Sequence, residues 1–263
     1  MNKTEKIAAF HVTEEEKKEI QDVVVKELPL TIILNGRELV TTLCSPIDLD
    51  YLVVGILASE GLIESKDEIK KLMVDDEAGL AHVETREDKR IAREQLFKPL
   101  VASGGGKGFS SYKMPDVNSR ARLESRITVS AGEVLSLVGE FLHRSSAYQA
   151  TRGVHSAALC HNKGILVFHD DIGRHNAIDK VFGECLIKEI VLDDRILVTS
   201  GRISSEILLK VAKRKIPILI SKAAPTNLGV KLATSLGVTL IGSVREKGMN
   251  VYANDWRVLA GGR

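Results

Sequence analysis

Apolar and polar positions alternate with a period of two over the early chain. Residues 22–28 and 30–34 are rich in Val, Ile and Leu, and residues 38–43 alternate again beyond Asn35-Gly36. Asn-Gly between two such runs is the pair that a two-residue hairpin turn demands, because both turn residues take positive φ. The spacing then lengthens towards 3.6. Leu49, Leu52, Val53, Ile56 and Leu57 fall on one helical face. Ser45 is read as the N-cap of this helix, Pro46 as its first residue and Gly61 as its stop. Residues 69–74 and 80–85 form a second hairpin pattern across 75–79. These elements predict a small α+β domain over residues 1–92.

Residues 93–126 show little periodicity and contain Ser103-Gly104-Gly105-Gly106-Lys107-Gly108. A stretch of this kind reads as a linker or as a functional loop. Beyond it the pattern becomes regular. Ser130 with Glu133 makes a capping box before an apolar run over 134–142. Strand patterns at 155–160, 165–169, 196–199, 217–220 and 238–241 are interspersed with helical patterns at 176–188, 204–214 and 226–236. Strands separated by helices of this length predict βαβ units, and hence an α/β domain over residues 127–263 with a mostly parallel core sheet and flanking helices.

Composition narrows the function classes. The chain has 263 residues, 44% apolar and 27% charged, with 37 basic against 35 acidic residues. A net charge of +2 argues against a nucleic-acid coat. Residues 1–19 are polar and lack the apolar core of a signal peptide, and the longest apolar stretch is too short to span a bilayer. The expectation is a cytoplasmic protein without a membrane partner. The three cysteines, Cys44, Cys160 and Cys185, form no C-x-x-C pair. They suit reduced core thiols better than a disulfide framework, and three cannot make a four-Cys zinc site. No metal ligated by the protein is expected.

Four loops of the second unit carry unusual polar clusters. They are 169–176, with His169-Asp170-Asp171 and Arg174-His175-Asn176; 199–206, with Ser200-Gly201-Arg202; 221–226, opening on Ser221-Lys222; and 242–248, with Ser243-Val244-Arg245-Glu246-Lys247-Gly248. Open α/β sheets bind ligands at the carboxyl ends of their strands. Glycines permit close backbone approach, helix N-termini favour anions, and arginines grip phosphate bidentately. The joint reading is a site for a phosphate-bearing ligand. His175 reads either as a cap or packed core residue or as part of a polar network with Arg174, Asp179 and Lys180. The last two also read as a local helix pair.

Residues 171–180, Asp-Ile-Gly-Arg-His-Asn-Ala-Ile-Asp-Lys, resemble the signature of the formate dehydrogenase accessory sulfurtransferases. Gly153-Val-His-Ser-Ala157, Ser200-Gly-Arg202, Pro225-Thr226, Gly242-Ser-Val-Arg245 with Asn250-Val-Tyr252, and the segment from Ser45-Pro46 to Glu60-Gly61-Leu62 are similar to that family in order and spacing. The resemblance implies a cytidine-deaminase-like core and a homodimer. It implies transfer of sulfur from a cysteine desulfurase to the molybdenum cofactor, bis-molybdopterin guanine dinucleotide, before that cofactor enters formate dehydrogenase. The residues expected to hold the cofactor are Arg174, His175, Asp179, Lys180, Arg202, Lys222, Ser243, Val244, Arg245, Glu246, Lys247 and Gly248.

The chain departs from the family pattern in its glycine-rich loop. Gly105 stands at the position best matching the family's persulfide-forming cysteine. A persulfide carrier needs an exposed thiolate in an electropositive setting, and glycine supplies none. The alternative reading is therefore a non-catalytic chaperone that binds the cofactor. On either reading residues 103–111 are expected to form a mobile lid. A zinc deaminase is disfavoured by motif, because His155-Ser156-Ala157 lacks the glutamate of H-x-E and no P-C-x-x-C exists. A P-loop is disfavoured because Lys107 is followed by Gly108 rather than Ser or Thr.

Overall fold

The protein is described from a computed structural model. It covers residues 3–87, 99–101, 107–109 and 122–259. Gly105 and most of the expected lid lie outside the described residues.

The chain opens with an antiparallel ribbon, β1 (Thr4–Val12) and β2 (Lys17–Val25), whereas the sequence pattern predicts no strand before residue 22. Next come β3 (Leu28–Leu34) and β4 (Arg37–Cys44), joined through Asn35-Gly36 as the dipeptide predicts; both turn residues have positive φ. Helix α1 (Leu49–Glu60) follows, then β5 (Ile69–Asp75) and β6 (Leu80–Thr85). Strands β3 to β6 form a four-stranded sheet in the order β4-β3-β6-β5. It packs on α1 through Leu30, Ile32, Leu52, Val53, Leu57, Ala81 and Val83. Gly61 ends α1 in the left-handed region, but the helix does not begin at Ser45. Asp48, at φ 52, is its N-cap, and Ser45 is engaged elsewhere. Its N–H donates to Asp171 and its hydroxyl accepts from the Ile172 N–H. A tertiary contact has taken the residue that local capping chemistry assigns to the helix.

Two short strands, β7 (Pro99–Val101) and β8 (Lys107–Phe109), pair antiparallel. Then come β9 (Val129–Ser130) and α2 (Ala131–Arg144), whose capping box is complete at Ser130 and Glu133. Helix α3 (Ser146–Thr151) leads to β10 (His155–His161) and β11 (Gly164–Asp171). The rest is α4 (Arg174–Ile187), β12 (Ile196–Thr199), α5 (Ser205–Lys213), β13 (Ile218–Ser221), α6 (Asn227–Leu236), β14 (Thr239–Arg245), β15 (Gly248–Ala253) and β16 (Val258–Leu259).

The core sheet has six strands in the order β11-β10-β12-β13-β14-β15. It is mixed rather than mostly parallel. Only β12-β13 and β13-β14 pair parallel; the other three pairings are antiparallel. The reason lies in two short connections. His161 pairs with Gly164 and Arg245 with Gly248, so each turn has two residues and only an antiparallel partner is reachable. Helices cover both faces. Leu197, Leu219 and Leu240 pack with α4, α5 and α6, while Val198, Ile220 and Ile241 pack with α2. This explains why β12 and β13 read as continuous apolar runs without alternation.

Helix α4 sits between the sheet and α1, and nine of its residues are buried. Its contact with α1 depends on two glycines. A Cβ on Gly55 would lie 1.8 Å from the Asp179 carbonyl oxygen, and one on Gly183 would lie 1.9 Å from that of Tyr51. Among the described residues no helix is long and apolar enough to cross a membrane.

Candidate functional site

The turn between β11 and α4 is built around a buried ion pair. Asp171 and Lys180 both have fully buried side chains, and Lys180 Nζ lies 2.7 Å from Asp171 Oδ2. Asp171 also accepts from the backbone N–H groups of Ser45 and Gly173 and from Asn176 Nδ2. Asp179, 2% exposed, accepts from Ser59 Oγ at 2.6 Å and from Lys210 Nζ at 2.6 and 2.8 Å. Asp179 and Lys180, predicted to touch ligand, are thus internally bonded residues of the helix interface.

The turn aims α4's first residues at the carboxyl ends of β12 and β13. Arg174 packs on the loop after β12 so closely that a Cβ on Gly201 would come 2.8 Å from Arg174 Cβ. Burial, and then the charge of nearby Arg202, hold the Arg174 guanidinium below its ordinary pKa. The loops after β12 and β13 are tied together. Ser221 Oγ donates to the Gly201 carbonyl at 2.7 Å, and the Thr226 N–H donates to the Ile203 carbonyl at 2.9 Å. Arg245 Nη1 donates to the Lys222 carbonyl at 2.8 Å, bringing the end of β14 to the same edge.

Beside this edge is a cleft of about 250 Å³. Its polar lining includes Ser145, Tyr148, Arg152, His155, Ser200 and Lys222. Of the predicted contacts, Lys222 lines the cleft, and Arg174, Arg202 and Arg245 gather near it. Ser243 bonds Tyr252 Oη at 3.0 Å. Val244, 2% exposed, is part of the core, and Glu246, Lys247 and Gly248 are exposed at the β14–β15 turn. None of these last four lines the cleft. Tyr148, Arg152 and His155 are cleft residues that the sequence-based site does not include. The stretch Gly153-Val-His-Ser-Ala157 is the available signal, since it leads into β10 with two cleft residues, His155 and Ser156.

Two histidines near the edge stay uncharged at neutral pH. His155 Nδ1 lies 3.3 Å from Ser200 Oγ, and burial followed by the Arg174 charge lowers its pKa. Burial, then the charges of Lys210, Arg174 and His155, push His175 down to about 3. Its contact with Glu206 at 3.5 Å is therefore no ion pair at neutral pH. Because the folded-state pKa lies below the ordinary 6.5, the unfolded chain takes up a proton between these values that the folded chain refuses. Stability falls as pH drops from 6.5 towards 3 for this reason. His175→Gln is expected to flatten that part of the stability profile, measured as unfolding midpoints between pH 7 and pH 5.

The three thiols are unsuited to nucleophilic work. Cys44, Cys160 and Cys185 are at most 2% exposed, and burial raises each pKa to about 12. The folded chain is expected to leave a thiol reagent such as Ellman's reagent unreacted, and the chain unfolded in guanidinium to titrate all three. Among the described residues no three His, Cys, Asp or Glu side chains are grouped to hold a metal ion.

The fold is a mixed α/β sheet covered by helices on both faces, with cationic side chains gathered at the carboxyl ends of its central strands. The sequence matches the FdhD/NarQ family over residues 25–259, and the chain belongs to that family. It is 43% identical over 237 residues to the sulfur carrier protein FdhD of Bacillus pumilus (strain SAFR-032), covering 90% of each chain. The protein of the same name from Bacillus subtilis (strain 168) is 41% identical over 239 residues, covering 91% of each. The fold is similar to a crystal structure described as a putative formate dehydrogenase accessory protein from Desulfotalea psychrophila. The TM-score is 0.80 at 28% identity, over 98% of this chain and all of the other.

Proposed function

We propose that this protein serves the maturation of a formate dehydrogenase in the cytoplasm by holding its molybdenum cofactor. The client is bis-molybdopterin guanine dinucleotide, taken up through a guanine nucleotide half and its phosphates. The observation that carries this reading is the cleft lined by Arg152 and Lys222, with Arg174, Arg202 and Arg245 gathered at the same sheet edge. Phosphate oxygens are the ligand that such a set of cations favours. Two neutral histidines and several hydroxyls beside them supply donors for the rest of a nucleotide. Formate dehydrogenase as the recipient and a homodimer as the working form are part of this proposal.

A second reading, sulfur transfer from a cysteine desulfurase to the held cofactor, is favoured by the name of the relatives, sulfur carrier protein. The thiols weigh against it, because all three are buried and protonated at neutral pH, and the position read as the best match to the family's cysteine is Gly105. Incubation with a cysteine desulfurase and cysteine, followed by mass mapping of each thiol, separates the two. The parent chain is expected to carry no persulfide, and Gly105→Cys to gain one beside Lys107, whose charge favours the thiolate. A persulfide on Cys44, Cys160 or Cys185 of the folded parent would establish the second reading in place of the first.

A further inference from the structure

All but the last residue of the β1–β2 ribbon precedes the family match, which begins at residue 25. Much of it is exposed, with Ile7, Phe10 and Val12 at 43%, 62% and 63%. It nevertheless touches one residue of the cleft and one buried carboxylate beside it. At its end Val25 lies against cleft residue Gly153, where a Cβ would come 3.0 Å from Val25 Cγ2, and β2 packs along α3. At its start Lys3 places Nζ 3.2 Å from Oδ2 of Asp170.

Asp170 is 1% exposed, so its carboxylate depends on protein partners. Besides Lys3 these are Ser145 Oγ, donating to Oδ2 at 2.9 Å, and Ser156 Oγ, donating to Oδ1 at 3.3 Å. Both serines line the cleft. Ser145 is also the N-cap of α3, accepting from the Tyr148 N–H at 2.9 Å. Helix α3 then carries Tyr148 to the cleft and ends at Arg152, held at φ 55. A continuous set of contacts therefore runs from Lys3 through Asp170 and Ser145 to the wall bearing Tyr148 and Arg152.

The geometry points to Lys3 as a positioning residue of the ligand cleft, acting through Asp170 to fix the α3 wall. The inference rests on the reading of that cleft as a nucleotide site. Without the Lys3 ammonium group the buried Asp170 carboxylate keeps two neutral donors and loses its ion-pair partner. Ser145 and Ser156 are then drawn to relieve it, and the helix that Ser145 caps loses its fixed start.

Binding of GDP by the full chain, followed by calorimetry, tests this. Lys3→Met is expected to weaken binding about tenfold at temperatures well below its unfolding midpoint, which should itself fall because Asp170 is left buried without its partner charge. Lys3→Arg is expected to restore binding, and Phe10→Ser, on the exposed part of the ribbon, to bind as the parent does. In an Asp170→Asn chain, Lys3→Met is expected to weaken binding no further, since the residue it acts through is already neutral. That cycle also decides the matter if Lys3→Met alone proves unstable. Equal GDP binding by parent and Lys3→Met, or a full effect of Lys3→Met in the Asp170→Asn chain, would overturn the inference. A parent that binds no GDP would overturn the nucleotide reading of the cleft and this inference with it.

Discussion

Replacing Lys180 with methionine is expected to destabilise the whole protein and not to weaken ligand binding alone. Lys180 Nζ and the Asp171 carboxylate face each other at 2.7 Å with no exposure on either side chain. Methionine fills much of the same space but leaves Asp171 ionised and buried. Removing one partner of such a pair costs about 3–5 kcal/mol. At about 2–4 °C per kcal/mol for a chain of this length, the unfolding midpoint should fall by roughly 10 °C. The double variant Lys180→Met with Asp171→Asn should regain part of the loss, because neither charge is then left alone. If Lys180 contacted ligand instead, Lys180→Met would keep the parent's midpoint and lose only affinity. Calorimetric unfolding of the two variants distinguishes these outcomes.

Gly55→Ala is the second large effect. The added methyl would overlap the Asp179 carbonyl oxygen, 1.8 Å away, which is backbone and cannot swing aside. Relief requires α1 and α4 to separate along their contact, opening the buried seam between the four-stranded sheet and the central helix. The expected cost is about 3 kcal/mol, the upper end for overpacking. Gly183→Ala should act similarly, since its methyl would meet the Tyr51 carbonyl at 1.9 Å. A methyl added at Gly132, on α2, would meet nothing within 4 Å, and Gly132→Ala serves as the control. Denaturant midpoints close to the parent's for Gly55→Ala would contradict this account of the helix contact.

Those two glycines also show what the sequence conceals. Nothing local to Gly55 or Gly183 announces that another backbone lies against each. The hairpin at Asn35-Gly36, the capping box at Ser130 and the helix start at Thr226 are legible because the chemistry that sets them is contained within a few residues. Ser45 reads as a cap because its true partner, Asp171, is distant in sequence. The sheet reads as mostly parallel because alternation of strands and helices says little about direction where a two-residue turn joins neighbours. At the site, the cations at Arg174, Arg202, Lys222 and Arg245 stand out by type and by following strands. Asp179 and Lys180 stand out equally, and only burial separates them from the ligand side. Arg152 and Tyr148 escape notice because they belong to a helix of six residues and its C-cap, with no strand pattern before it.

The central claim is that the cations around the cleft hold the phosphates of a guanine nucleotide. Its most direct test is calorimetric titration of GDP into the parent chain and into Lys222→Ala, Arg174→Ala and the double variant. Each lost charged hydrogen bond is worth roughly 1.5–3 kcal/mol, so each single variant should bind at least about tenfold more weakly and the double variant about a hundredfold. Unfolding midpoints should stay near the parent's. GDP binding of parental strength in the double variant would contradict the claim and place the site elsewhere.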